Sequence, residues 1–354
     1  MKMAKLYREL FDSQRKTSRL REESWLVSGA AGFIGSHLCE ALLAIGCKVT
    51  GLDNFSTGKP QNLTKIRASV GEELFQNFSF IEGDVRNIET CRQACRKCTV
   101  VLHQAALGSV PRSLEHPEWS TETNIGGFVN ILTAAKDATV RRFVYASSSS
   151  VYGDEATLPK VEERVGRVLS PYALTKRVNE QFATLFTSCF GFESVGLRYF
   201  NVFGPRQDPL GAYAAVVPRW ITSVLNGSPI IVNGDGETSR DFCFVSNVVL
   251  ANVLAAISPS GTATDRVYNV ACEEATTLNQ LLKKIIIAIN DVSPKPERRV
   301  LTKHVAFREG DIRHSLADIS RARELLNYHP VSTIDEGLAL TVPYYVEELE
   351  AVAA

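Results

Sequence analysis

No stretch of this sequence reaches the roughly 18 uninterrupted apolar residues of a membrane-spanning helix. Neither charge is in excess: 39 Lys and Arg balance 39 Asp and Glu. That neutrality argues against nucleic acid or an anionic membrane as the main partner. Residues 1–22 lack the apolar core of a secretory leader, and Glu9 and Asp12 count against a mitochondrial-type one. They read instead as a short amphipathic extension lying on the main body. Internal repeats and low-complexity tracts are also missing. Of eight cysteines only Cys91, Cys95 and Cys98 cluster, in a basic helical stretch without a fourth ligand nearby, so no metal is expected. The others fall in apolar patterns and look like reduced core thiols, which fits a cytoplasmic enzyme.

What the chain does have is alternation. Residues 24–28 form an apolar run that opens into Gly29-Ala30-Ala31-Gly32-Phe33-Ile34-Gly35. A helical pattern follows through Leu38, Ala41, Leu42 and Ile45, and a second apolar run, 49–52, ends in Asp53. Strand, glycine loop, helix, strand and acid is the context in which such a loop binds a dinucleotide. Gly29, Gly32 and Gly35 let the backbone approach a pyrophosphate, which faces the helix N-terminus. Asp53 accepts both ribose hydroxyls and repels a 2′-phosphate. The following Asn54-Phe55-Ser56-Thr57-Gly58 offers no Arg to neutralise one, so NAD is expected rather than NADP.

Further strands at 78–81, 100–103, 143–146, 194–199 and 267–270 alternate with helices, one of which runs from about 117 to 137 and carries Asn124. The pattern predicts an α/β fold, a doubly wound parallel Rossmann sheet. A smaller α/β substrate-binding domain, loop-rich after Asn201, closes over it. Gly29, Asp53, Ala105, Ser148 and Asn201 fall at the carboxyl ends of strands, where ligands lie in such sheets. Asp84 can meet an adenine edge. The small residues of Gln104-Ala105-Ala106 let the chain pass close under a cofactor.

Ser170 and Pro171 signal a helix start. Tyr172 and Lys176 then lie one turn apart on one face. A Lys ammonium and the positive end of the helix dipole both favour a phenolate, so Tyr172 is the candidate base. Ser148, or Ser149 beside it, can hydrogen-bond a sugar hydroxyl and the Tyr172 oxygen together. Arg240 and Arg308 are candidate pyrophosphate forks, and Asp311 can hold a ribose or orient an Arg.

With these motifs in place the chain resembles the extended short-chain dehydrogenase/reductase family, and within it the nucleotide-sugar 4-epimerases. The resemblance is carried by Gly29-x-x-Gly32-x-x-Gly35, Gly83-Asp84-Val85, Ser147 to Gly153, Tyr172-x-x-x-Lys176, Leu197 to Pro205 and Gly234-Asp235-Gly236-x-x-x-Arg240-Asp241-Phe242. It implies an N-terminal extension, 1–22, an NAD-binding domain, 23–200, to which the chain returns at about 241–271, and a UDP-sugar-binding domain, 201–240 and 272–354. It adds Phe33, Ile34, Val85, Tyr199 and Val202 at the cofactor. It adds Gly108, Ser109, Asn201, Ala215, Val216, Val217, Asn233 and Ser315 at the substrate. The segments 105–113, 211–218 and 308–315 look like the bacterial epimerases acting on UDP-N-acetylhexosamines and their uronic acids, and the wider family implies that a residue matching Ser315 leaves room for an N-acetyl group. Ser149-Ser150 stand where related dehydratases carry an Asp-Glu pair, which disfavours dehydration. The resemblance therefore implies UDP-N-acetylglucosamine 4-epimerisation through a 4-keto sugar. A uronate 4-epimerase is the main alternative, ahead of a decarboxylase or an inactive NAD-binding protein. Paired helices at about 117–137 and 172–190 imply a homodimer.

Overall fold

Seven of the apolar runs assemble into one parallel sheet in the computed structural model, which describes residues 2–12, 17–210, 214–261, 263–264, 266–293, 300–307 and 312–353. In chain order β1 is Ser24–Ser28, β2 Lys48–Asp53, β3 Phe78–Glu82, β4 Val100–His103, β5 Arg142–Ser148 and β6 Ser194–Tyr199. The chain then leaves the sheet for β7 (Asn201–Phe203), β8 (Ile230–Asn233) and β9 (Ser239–Phe244), and returns with β10 (Arg266–Val270). The spatial order is β3-β2-β1-β4-β5-β6-β10, and every neighbouring pair is parallel. Helices cover both faces, so β4 and β6 are buried along their whole length. That is why these strands read as unbroken apolar runs rather than as alternating ones. The order reverses between β1 and β4, which opens a crevice at the carboxyl ends of the strands.

The smaller part has its own core. β7 pairs in parallel with β9, and β11 (Ala275–Thr277) pairs antiparallel with it. β8 pairs with β12 (Thr302–Val305). Trp220 and Ile221 of the Val216–Asn226 helix pack there with Phe244, Ile285 and Leu338.

At the other end of the chain, the Lys2–Asp12 helix buries Ala4, Tyr7 and Phe11, one face of two turns, in the main core. One expected helix is not continuous. Between Pro117–Thr121 and Gly127–Asp137 the residues Glu122–Gly126 form a π-helical turn. Asn124 explains it, because its amide is spent outside the helix. Its Oδ1 accepts from the Leu107 N–H at 2.7 Å, and its Nδ2 donates to the Leu107 carbonyl at 3.1 Å and to Thr175 Oγ1 at 3.2 Å. Such turns often mark functional sites.

Candidate active site

The glycine loop is shaped by close approach. Gly29 holds φ at +72°, and a Cβ there would lie 2.9 Å from the Ala105 nitrogen. A Cβ on Gly35 would lie 1.9 Å from the Gly29 carbonyl oxygen. The loop can therefore seat the N-terminus of the Phe33–Ala44 helix against β1 and β4 only with glycine at both points. Asp53 ends β2 beside it. Its Oδ2 accepts from the Ala31 N–H at 2.9 Å and its Oδ1 from the Phe55 N–H at 2.8 Å. Burial still pushes this carboxyl above its ordinary range, with the backbone donors opposing. Gly58 packs directly under the carboxylate. A cleft of about 290 Å³ opens over these residues, with Asn54, Ser56 and Thr57 at one end and Tyr172 and Lys176 at the other. The residues fit a dinucleotide: a cradle without side chains faces a helix N-terminus, and a fixed carboxylate has lone pairs to spare.

Tyr172 and Lys176 are brought together as their spacing requires. Ser170 caps the Pro171–Phe190 helix by accepting from the Ala173 N–H at 3.1 Å. Of the serine run it is Ser148 whose hydroxyl acts on the Tyr172 phenol, opposing the rise in its pKa. Ser148 Oγ also accepts from the Ser150 N–H at 3.1 Å, while Ser149 opens a short 3-10 turn, Ser149–Tyr152. Lys176 is buried and donates to the Ala146 carbonyl at 2.8 Å. Its ammonium lies 5.9 Å from the centre of the Tyr172 ring. Burial pushes Lys176 down to about 8 and pushes Tyr172 above its ordinary value, with only the Ser148 hydroxyl opposing. The net shift of the phenol is therefore upward, contrary to the sequence expectation. Desolvation outweighs the Ser148 hydroxyl, and the Lys176 ammonium is directed to the Ala146 carbonyl.

A second cleft, of about 320 Å³, adjoins the first: Gly108 lines one and Ser109 the other. Asn201 borders it after β6, Ala215, Val216 and Val217 border it at the start of the Val216–Asn226 helix, and Asn233 and Arg240 do so from β8 and β9. Arg240 Nη1 donates to the carbonyls of Ser239, at 2.9 Å, and Arg313, at 3.2 Å.

The sequence pattern of the NAD dependent epimerase/dehydratase family matches residues 25–271, most of this sheet and both glycine-loop and Tyr-Lys motifs. The chain belongs to that family. It is 36% identical over 322 residues to the UDP-glucose 4-epimerase of Mycolicibacterium smegmatis, covering 90% of this chain and 97% of that one. Among solved structures it is similar to the UDP-N-acetylglucosamine 4-epimerase of Methanobrevibacter ruminantium in complex with UDP-N-acetylmuramic acid. There the TM-score is 0.82 and the identity 35%, over 92% of this chain and 99% of the other. It is also similar to the Bacillus cereus UDP-glucuronic acid 4-epimerase solved with UDP-glucuronic acid and NAD, with TM-score 0.80 and 31% identity over 92% and 99%. These relatives are UDP-sugar 4-epimerases, and the chain is an NAD-dependent enzyme of that class.

Within this epimerase most of the residues singled out by sequence line one of the two clefts. Phe33, Ile34, Val85, Gln104, Ala105, Ala106 and Tyr199 join the glycine loop at the first. Val202, expected at the cofactor, lines the second cleft instead, because β7 turns away from the main sheet. Asp84 is held by the Arg86 guanidinium, Nη2 at 2.7 Å, which keeps its carboxyl down at about 2. It also accepts from Asn54 Nδ2 at 2.8 Å, so it orients Asn54. Asn124 supports Leu107 from behind. Ser315 is half-buried and donates its N–H to the Ser239 carbonyl at 3.1 Å. Arg308 and Asp311 lie outside the described residues.

Sequence reasoning missed Thr123, Ala146 and Ser147 in the first cleft and Gln207, Trp220 and Thr238 in the second. Ser147 had a signal, its place in the serine run. It donates to Glu180 Oε1 at 2.6 Å, and Arg198 forks the same carboxylate at 2.9 and 2.8 Å, so it anchors the end of β5. Trp220 reads as a core residue of an amphipathic helix and is one. Burial raises the thiols of Cys91 and Cys98 to about 12 and 11, and Cys95 higher still, so all three stay protonated.

Proposed function

We propose that the protein is a UDP-sugar 4-epimerase that interconverts UDP-N-acetylglucosamine and UDP-N-acetylgalactosamine through a transient 4-keto sugar. The observation that carries this reading is Tyr172 beside buried Lys176, with the Ser148 hydroxyl acting on the phenol, in the cleft that adjoins the Arg240 cleft at Gly108 and Ser109. NAD, when bound, supplies the reversible redox step at the sugar C4. Gly29, Gly32 and Gly35 take its pyrophosphate at the helix N-terminus, and Asp53 takes the ribose. Tyr172 removes the proton of the 4-hydroxyl, directly or through Ser148, and returns one after the ring has turned over. Lys176, fixed on the Ala146 carbonyl, presents its remaining donors to the nicotinamide ribose. Arg240 holds the diphosphate while the sugar end moves. Ser315, small and beside Ser239, leaves room for an N-acetyl group at C2.

Incubation with UDP-N-acetylglucosamine, UDP-glucose and UDP-glucuronate, followed by chromatographic separation of the 4-epimers, tests the proposal. UDP-N-acetylgalactosamine is the expected main product. Turnover confined to the uronate refutes the substrate assignment while leaving the reaction type.

Homodimerisation belongs to the same proposal. Leu114, Trp119, Leu174, Leu185 and Phe190 are all exposed, on Val110–Glu115, Pro117–Thr121 and Pro171–Phe190. A second copy laid along these helices would cover them. A monomeric mass in sedimentation at micromolar concentration would rule it out.

A further inference from the structure

The N-terminal helix has no part in either cleft, yet its one buried hydroxyl ends in a polar cluster between them. Tyr7 Oη meets His37 Nδ1 at 2.8 Å. Arg206 Nη2 meets the same nitrogen at 2.9 Å and also donates to Glu40. A guanidinium cannot accept, so His37 Nδ1 is the acceptor and the ring proton sits on Nε2. That N–H donates to the Pro205 carbonyl at 2.9 Å. Burial and the nearby Arg206 hold His37 well below its ordinary value, which agrees with a neutral ring. Ser69 donates to the other Glu40 oxygen at 2.6 Å.

The cluster controls one loop. Arg206 holds φ at +68°, a conformation that side chains other than glycine adopt only when their surroundings enforce it. Its neighbour Gln207 lines the second cleft and donates through Nε2 to the Val202 carbonyl at 3.2 Å, and Val202 lines that cleft too. Tyr345 clamps the same loop from the C-terminal helix, donating to the Gln207 carbonyl at 2.5 Å. On its other side His37 belongs to the Phe33–Ala44 helix and packs edge-on against Phe33, at 5.8 Å, which lines the first cleft. Tyr7 and His37 are fully buried and Glu40 and Arg206 nearly so. An ion pair of this kind keeps its strength only while water is excluded, and the N-terminal helix contributes to that exclusion.

We infer that the Lys2–Asp12 helix is a positioning element for the sugar-nucleotide cleft, acting through Tyr7, His37 and Arg206 on the Gly204–Gln207 loop. The inference rests on the reading of the second cleft as the UDP site. The test is calorimetric titration of UDP into full-length, NAD-loaded protein, comparing wild type with Tyr7→Phe and Arg206→Lys. Tyr7→Phe keeps the ring and removes only the hydroxyl. Each variant is expected to bind UDP about threefold to tenfold more weakly, the factor that a buried hydrogen bond carries, with NAD content unchanged. A lowered melting temperature with unaltered UDP affinity would mean a merely structural role and overturn the inference alone. Wild-type protein that binds no UDP would overturn the cleft assignment and the inference with it.

Discussion

The two clefts are built in opposite ways. The first is assembled from short contiguous motifs, most of them at the carboxyl ends of strands of one parallel sheet, with Tyr172 and Lys176 on the Pro171–Phe190 helix. The second is assembled from a strand end, a helix start and two small sheets that are distant in sequence. The first holds its ligand groups rigidly: Asp53, Lys176 and Ser148 are each tied to backbone. In the second, Arg240 carries the charge on a part-buried side chain that donates to the Ser239 and Arg313 carbonyls. A cofactor seat on one continuous sheet beside a sugar site drawn from separate small elements suits a reaction in which one ligand stays still while the other turns over.

The comparison breaks most visibly at Tyr172. Tyr172→Phe removes the proton carrier without touching the glycine loop. Turnover is expected to fall by about a thousandfold or more, within the range general acid–base groups supply, while bound NAD stays at the wild-type level. Epimerisation assays and the absorbance of released cofactor read the two halves separately. Near-normal turnover would remove Tyr172 from the chemistry.

A reciprocal pair sharpens the contrast. Arg240→Ala should raise KM for the sugar nucleotide by roughly 10- to 100-fold, the worth of a charge-assisted hydrogen bond, and leave NAD content alone. Gly35→Ala should do the reverse. Its Cβ would sit 1.9 Å from the Gly29 carbonyl, so the loop must shift and cofactor is lost first. Equal effects of both variants on both ligands would show that the clefts do not act separately.

The first cleft was legible in the sequence, and the second only in outline. Central parallel strands such as β4 and β6, buried on both faces, leave continuous apolar runs, and the edge strand β3 was found from its aromatic residues and its place in the alternation. Gly29 and Gly35 were legible because no other residue fits the backbone there. Gln207, Trp220 and Thr238 were not, since nothing local distinguishes them from loop and core residues. The π-helical turn at Asn124 was hidden because its cause, Leu107, lies on another loop. The direction of the Tyr172 shift failed for a related reason. Spacing gives the neighbour Lys176, but burial depends on everything packed around the pair.

The smallest expected effect follows from that burial. Lys176 is held at about 8 in the folded protein, below its ordinary value near 10.5. The folded state therefore releases this proton earlier than the unfolded chain does. Stability rises with pH wherever the unfolded state binds more protons, so the cost of burying the ammonium is full below about 8 and fades between 8 and 10.5. From pH 7 to pH 9 the relief amounts to about 1 kcal/mol for a group this completely buried. Urea unfolding of wild type and Lys176→Met at both pH values isolates it. Wild type should gain about 1 kcal/mol on the variant as pH rises, and the second cleft should contribute nothing to that difference. Parallel pH dependences would mean that Lys176 is not desolvated, and the contrast between the two clefts would lose its electrostatic basis.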